Sequence, residues 1–161
     1  MNHSNTVYLS LKEEQNKLFP HEKNDCTVKA LAAAAGIEYP AAHNMLRVRG
    51  RKNGHGFLAS IVIEELTKLG KTVKDVTPLV VPHTKTVRAF GARNYRGTYL
   101  IRTKGHVLCS KNGVVQDWTV GRCHRILNVW RVDNAWQGIK TPYIICHDNT
   151  NWSLPLLERI L

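Results

Sequence analysis

Asn24-Asp25-Cys26-Thr27-Val28-Lys29-Ala30-Leu31-Ala32-Ala33-Ala34-Ala35-Gly36 is the stretch on which the fold turns. It reads as a helix with a cysteine in its first turn. Asn24 or Asp25 can act as N-cap, a side-chain oxygen accepting from the orphan N–H groups of the first turn. Ala30 to Ala35 has about the highest helix propensity available, and Gly36 sits where a left-handed residue closes a helix. A thiol at this end of a helix feels the positive end of the dipole, which favours thiolate. Nucleophilic cysteines commonly occupy such positions. On this segment alone, a small apolar cysteine packed in a core is an equally good reading.

Working outward, residues 1–22 read as an extended arm or short strand, then a loop that enters the helix past Pro20. Downstream, Pro40 suits the first turn of a second helix that runs from Ala41 to Val48 and ends at Gly50. The glycine-rich Gly50–Gly56 is a loop, and Phe57, Leu58, Ile61, Val62, Glu65, Leu66 and Leu69 mark a third, amphipathic helix stopped by Gly70. Thr72–Val76 suits a short strand, Pro78 and Pro82 bracket an irregular apolar stretch, and Thr86–Phe90 suits a short helix ending by Gly97.

The second half is β-rich. Thr98–Arg102 and His106–Ser110 read as strands, Asn112-Gly113 is a strong hairpin-turn signal, and Val114–Trp118 returns as a third strand. Ile126–Val132 alternates as a fourth. Helices first and an antiparallel meander afterwards is an α+β pattern. The chain reads as a single domain over 1–161, with a helical part at about 22–95, a sheet part at about 96–132 and an apolar C-terminal extension over 133–161. That extension is expected to pack back on the sheet or on a partner.

Composition bounds the function. The apolar content of 43% and charged content of 22% are globular values. No run of about 18 apolar residues occurs, so no membrane role is expected, and the polar start Met1–Asn5 lacks signal-peptide features, which points to the cytoplasm. Cys26, Cys109, Cys123 and Cys146 are widely spaced with no CxxC pair, which argues against a zinc knuckle or a disulfide framework. His124 has no partner at metal-ligand spacing, and no phosphate-binding glycine motif is present; no metal or cofactor is expected. The net charge of +11 fits nucleic acid, an acidic protein partner or a soluble basic surface. Arg47, Arg49, Arg51 and Lys52 form a local cluster that reads as a solvated face and would matter for an acidic substrate.

Three residues form a catalytic pattern. In a hairpin turning at Asn112-Gly113, facing residues have numbers that sum to about 225, so Asp117 opposes roughly residue 108 and His106 roughly 119. An imidazole and a carboxylate so placed are diagonal neighbours on one sheet face. Asp117 would fix the His106 tautomer while the other ring nitrogen serves the Cys26 thiol, the nucleophile–base–orienter logic of acyl transfer. Asn128 or Asp133 could orient the ring instead, and His55, in the glycine-rich loop, competes as base or contacts substrate. Cys109 and Cys146 read as core residues. Trp118 is either a lid over the His–Asp pair or plain packing.

The runs NDCTVKALAAAAG and GTYLIRTKGHVLCSKNGVVQDW resemble the papain-like cysteine peptidase superfamily, and most nearly the bacteriocin-processing peptidases and related small bacterial and phage proteins. The resemblance covers about residues 20–132. It implies a helical subdomain carrying Cys26, packed on an antiparallel sheet carrying His106 and Asp117, with the active site in the cleft between. It implies a thiol hydrolase acting on a protein or peptide substrate, in a bacterial or host cytoplasm. Such families place a glutamine about six residues before the cysteine as an oxyanion donor; here that position is Pro20. Asn24 is the best substitute, with His21 or Lys23 behind it, unless backbone groups suffice alone. One missing donor typically costs about 10²–10³ in rate. Two rivals are therefore carried: a non-catalytic interaction or inhibitor protein of the same fold, and a basic nucleic-acid-binding domain.

Overall fold

The computed structural model describes residues 5–117 and 123–135. Its first element corrects the expected extended arm: Thr6–Leu18 is a helix, α1. Its buried residues Tyr8, Leu11 and Gln15 recur at helical spacing, and one of the three is polar. The apolar periodicity is thereby diluted, which hid the helix from a pattern reading.

The cysteine helix α2 spans Cys26–Ala35 and closes on Gly36 at φ 72°, whose N–H donates to the Ala32 carbonyl. A side chain at that φ is strained, so the stop depends on glycine. Neither Asn24 nor Asp25 caps the helix with its side chain. The Asp25 carboxylate turns instead to Lys29 and Tyr39. Residues Thr27 to Ala34 of α2 are all buried, so the alanines serve packing as much as propensity: small side chains let neighbours approach a central helix from several sides. Those neighbours are α1, α3 (Tyr39–Val48, with Pro40 in its first turn), α4 (Ala59–Lys68) and the β-sheet.

β1 (Lys71–Asp75) follows, then two short helices, α5 (Thr77–Val80) and α6 (Val87–Ala92). The stretch expected to be irregular contains α5, where Pro78 occupies the first turn. The Thr86 hydroxyl caps α6 by accepting from the Ala89 N–H.

The remaining strands are β2 (Thr98–Thr103), β3 (His106–Lys111), β4 (Val114–Gln116) and β5 (Ile126–Asn134). All pairings are antiparallel, in the order β1-β5-β2-β3-β4. The sheet is therefore not a simple meander. β5 crosses back to pair with β2, and β1, from the helical half, forms one edge. At the other edge α1 lies against β4.

Alternation along the strands feeds two cores. Leu100, Val107, Cys109 and Val132 face the α1–α4 layer with Val28, Leu31, Leu46 and Leu66. Tyr99, Ile101, Leu108, Ile126 and Val129 face α5 and α6, around Val80 and Phe90. Mixed helix and antiparallel sheet make the fold α+β, with the sheet covered on both faces. Among the described residues no helix is long and apolar enough to cross a membrane.

Candidate active site

The β2–β3 turn, Lys104-Gly105, delivers His106 to the start of β3, with Gly105 at φ 70°. The β3–β4 turn sets the partner. Asn112 and Gly113 take φ 51° and 81°, the left-handed pair that a two-residue hairpin of matching twist requires. The register is Cys109↔Gln116, Ser110↔Val115 and Lys111↔Val114, each pair summing to 225 as the turn implied. One step further, Asp117 comes opposite Leu108, two residues along from His106. There the His106 Nε2 and Asp117 Oδ1 atoms meet at 3.0 Å, both side chains buried. Asn128 and Asp133 are engaged elsewhere, by Arg102 and Arg131.

Cys26, the first residue of α2, borders the same small cavity as His106 and Asp117. Burial of Cys26 works against thiolate, but hydrogen bonds from His106 and from the Val107 and Thr27 N–H groups, with the His106 charge, bring its pKa below the ordinary value. Burial likewise pulls the His106 pKa down, and the hydrogen bonds and charges of Asp117 and Cys26 override it, raising it to about 9. Both shifts favour one state, a thiolate facing an imidazolium. Cys26 is half-buried. The cavity has a volume of about 10 Å³, and Tyr8, Lys29, Ala30 and Gln116 also border it. That is about the volume one water needs.

Supports for this triad come largely from residues the sequence did not single out. Asn5, just before α1, donates through Nδ2 to the Asp117 carbonyl at 2.6 Å, and the Tyr8 N–H donates to Gln116 Oε1 at 3.0 Å. Two bonds from α1 thus fasten the strand end that carries Asp117. A second set fixes the start of α2. Lys29 Nζ donates to Asp25 Oδ1 at 3.0 Å and to Gln15 Oε1, and the Tyr39 hydroxyl donates to Asp25 Oδ2 at 2.8 Å. Burial and the Asp25 charge hold that hydroxyl protonated. The Lys29 ammonium also lies 5.2 Å from the centre of the Tyr8 ring. The i,i+4 spacing of Asp25 and Lys29 was legible in the sequence; their burial was not.

The third support is Glu22. Its carboxylate accepts from Arg51 Nη1 and Nη2 at 3.2 and 3.0 Å, and from the Gly54 N–H at 2.7 Å. His43 Nε2 lies 2.9 Å away, with its ring stacked on Phe19. Burial raises the Glu22 pKa, and these donors overcome it and bring it down to about 2. Arg51 is 3% exposed, which corrects its reading as part of a solvated face. Arg49 is also engaged, pairing with Glu64 and Glu65.

The other sequence candidates fall outside the triad. Asn24, at φ 54°, commits its Nδ2 to the Gly54 carbonyl at 2.9 Å and does not border the cavity, so the structure does not bring this donor to the thiol. His55 is exposed in the same loop and also stands off the cavity. His21 and Lys23 are exposed. Trp118, Cys146 and the extension from 136 onward lie outside the described residues. Cys109 is fully buried, its pKa pushed up to about 12 by burial, and packs in the core. Cys123 and His124 are exposed. Among the described residues no cluster of His, Cys, Asp or Glu could hold a metal ion.

Comparison of the chain with protein-family models, curated proteins and solved structures returns no match.

Proposed function

We propose that the protein is a cysteine-dependent acyl-transfer enzyme, a papain-like hydrolase of peptide or related amide bonds. The observation that carries this reading is that Cys26, at the start of α2, shares one cavity with a buried His106–Asp117 pair held at 3.0 Å. In the reaction the Cys26 thiolate adds to the substrate carbonyl carbon. His106 then passes its proton to the leaving nitrogen as the C–N bond breaks, leaving a thioester on Cys26. The neutral ring next takes a proton from water, whose oxygen attacks the thioester. The C–S bond then breaks with its electron pair going to sulfur, which releases the carboxylic acid and restores the Cys26 thiolate beside the His106 imidazolium. Asp117 holds Nε2, so Nδ1 is the nitrogen that serves the sulfur, and its charge stabilises the imidazolium.

Oxyanion stabilisation falls to backbone N–H groups in the first turn of α2, which have no intrahelical acceptors by construction. Asn24 is spent on Gly54 and does not serve as a side-chain donor there; loss of one such donor typically costs about 10²–10³ in rate. That same observation favours the second reading, a binding protein of this fold that has lost turnover.

The test is to mix the protein with an activated p-nitrophenyl acyl ester, quench in acid and weigh it. An acyl mass on Cys26, removed by hydroxylamine and absent in Cys26→Ser and His106→Ala, supports the enzyme. An unmodified Cys26 under conditions that acylate a free thiol peptide contradicts it and leaves the binding reading.

A further inference from the structure

Charge is distributed unevenly along the chain. From Val76 to Gln116 the sequence contains no Asp or Glu, while lysines and arginines recur throughout. Among the described residues, the cations with carboxylate partners lie elsewhere: Lys29, Arg49, Arg51, Lys68 and Arg131.

Backbone contacts between distant segments gather five of the remaining cations over α6. Arg125 forms a β-bridge with Thr86, the Ile126 N–H donates to the Lys85 carbonyl, and the Val87 N–H donates to the His124 carbonyl. Lys85 and Arg125 therefore stand together at the start of the helix. Val87 and Phe90 face the core, which leaves Arg88 on the solvent side of α6. Arg93 closes the helix, and Arg96 follows in a loop whose next residue, Gly97, exchanges bonds with Asn112 of the β3–β4 turn. Lys85, Arg88, Arg96 and Arg125 are exposed and Arg93 is half-buried.

The length of this row is set by β2. Ile126, beside Lys85, pairs with Thr103 at one end of the strand; Arg96, whose carbonyl accepts from the Tyr99 hydroxyl, sits at the other. A strand of that length, Thr98–Thr103, covers about 17 Å. One strand of a duplex places a phosphate about every 3.4 Å, so the row spans about five phosphates. That is one for each cation.

What the face lacks narrows the partner. No exposed large apolar side chain falls within 83–97 or 123–126, so it has neither the apolar centre of a protein interface nor an anchor for a bilayer. The rings of Phe90, Tyr95 and Tyr99 are turned into the core, at 0%, 3% and 0% exposure, and offer unpaired bases no stacking platform. Four of the five cations are arginines, whose planar fork matches phosphate oxygens.

We propose that the α6 face binds a nucleic-acid duplex through its phosphate backbone, without reading its sequence. Lys85, Arg88, Arg93, Arg96 and Arg125 make the contacts. This binding is separate from the chemistry at Cys26 and stands or falls without it.

The experiment follows the anisotropy of a short fluorescein-labelled DNA duplex with the full chain, over a series of salt concentrations. The expected slope of log affinity against log salt is about −4 to −5, the value for five neutralised phosphates. A duplex of unrelated sequence binds within about threefold. The fourfold variant Lys85→Glu, Arg88→Glu, Arg96→Glu, Arg125→Glu loses about 100-fold or more in affinity, while its Cys26 alkylates as in the native protein and so reports an intact fold. Lys12→Glu, Lys17→Glu, Arg47→Glu, Lys52→Glu, an equal change of net charge placed on the helical layer, costs less than about tenfold. Arg88→Ala alone lowers the slope by about 1, and it decides the matter even where the fourfold variant does not fold.

A flat salt dependence, equal losses in the two fourfold variants, or an Arg88→Ala slope equal to the native one overturns the proposal. So does tighter binding of the single strand than of the duplex, which marks a stacking site. Displacement of the duplex by polyglutamate or by phosphatidylserine vesicles more effectively, charge for charge, than by unlabelled duplex also overturns it, and makes the face a site for an acidic protein or a membrane.

Discussion

Replacing Glu22 by glutamine tests the buried hub with little change of shape. In the native protein the carboxylate receives two bonds from Arg51, one from the Gly54 N–H and one from the Lys23 N–H, with His43 at 2.9 Å. Glutamine keeps one acceptor oxygen but sets an NH₂ group against a donor and leaves the Arg51 guanidinium buried without its counter-charge. Breaking a buried pair by removing one partner costs about 3–5 kcal/mol. The depressed pKa gives a second route to the figure: a fall from 4.5 to about 2 corresponds to about 3 kcal/mol of favoured ionisation in the folded state. The two agree. Because the folded pKa lies below the unfolded one, this contribution is fully present above pH 4.5 and is lost as pH falls through about 2. Urea unfolding of both proteins, from pH 7 down to the acid limit, reads the difference directly. The native protein should exceed Glu22→Gln by about 3 kcal/mol at pH 7, with the gap closing below pH 4.5 as Glu22 itself becomes neutral. A gap under about 1 kcal/mol at pH 7, or one that does not change with pH, refutes the hub.

Three other outcomes follow from single contacts. Asp117→Asn removes the charge that raises His106, so the ring's pKa should fall towards its ordinary value, visible by NMR titration, and the acylation rate should drop about 10²-fold or more. Gly113→Ala drives a Cβ into Asn94 Oδ1 and sets it 3.0 Å from Asn94 Cα at a φ of 81°; a loss of about 1–3 kcal/mol in urea unfolding is expected, with misalignment of Asp117 in what remains folded. Lys29→Met strips the buried Asp25 carboxylate of its cation and should cost about 3 kcal/mol, a loss that a second change, Asp25→Asn, partly restores in a double-mutant cycle.

How much of this was legible in the sequence depended on how local the cause was. Gly36, the proline of α3 and the Asn112-Gly113 turn act over a few residues, and each does in the structure what its chemistry implies. The hairpin register even carried His106 and Asp117 to one place across the sheet, since two-residue turns leave little freedom in pairing. The failures are non-local. β5 pairs with β2 rather than β4, a choice made by the whole sheet, and α1 owes its stability to packing on α2, α3 and β4 more than to its own pattern. Glu22, His43 and Arg51 are separated by up to 29 residues, and no spacing rule joins them. Asn24 looked like an oxyanion donor from its distance in sequence to Cys26. Its left-handed backbone turns the amide to Gly54 instead.

The central claim is that Cys26 and His106 form a thiolate–imidazolium pair. The most direct measurement is the pH dependence of iodoacetamide alkylation at Cys26, read by peptide mapping because Cys123 is also exposed, in the native protein and in His106→Ala. The account predicts a native Cys26 that titrates below the free thiol value of about 8.5 and returns towards it when the imidazole is removed. A native Cys26 that titrates like a free thiol, or one whose titration is unchanged in His106→Ala, would contradict it.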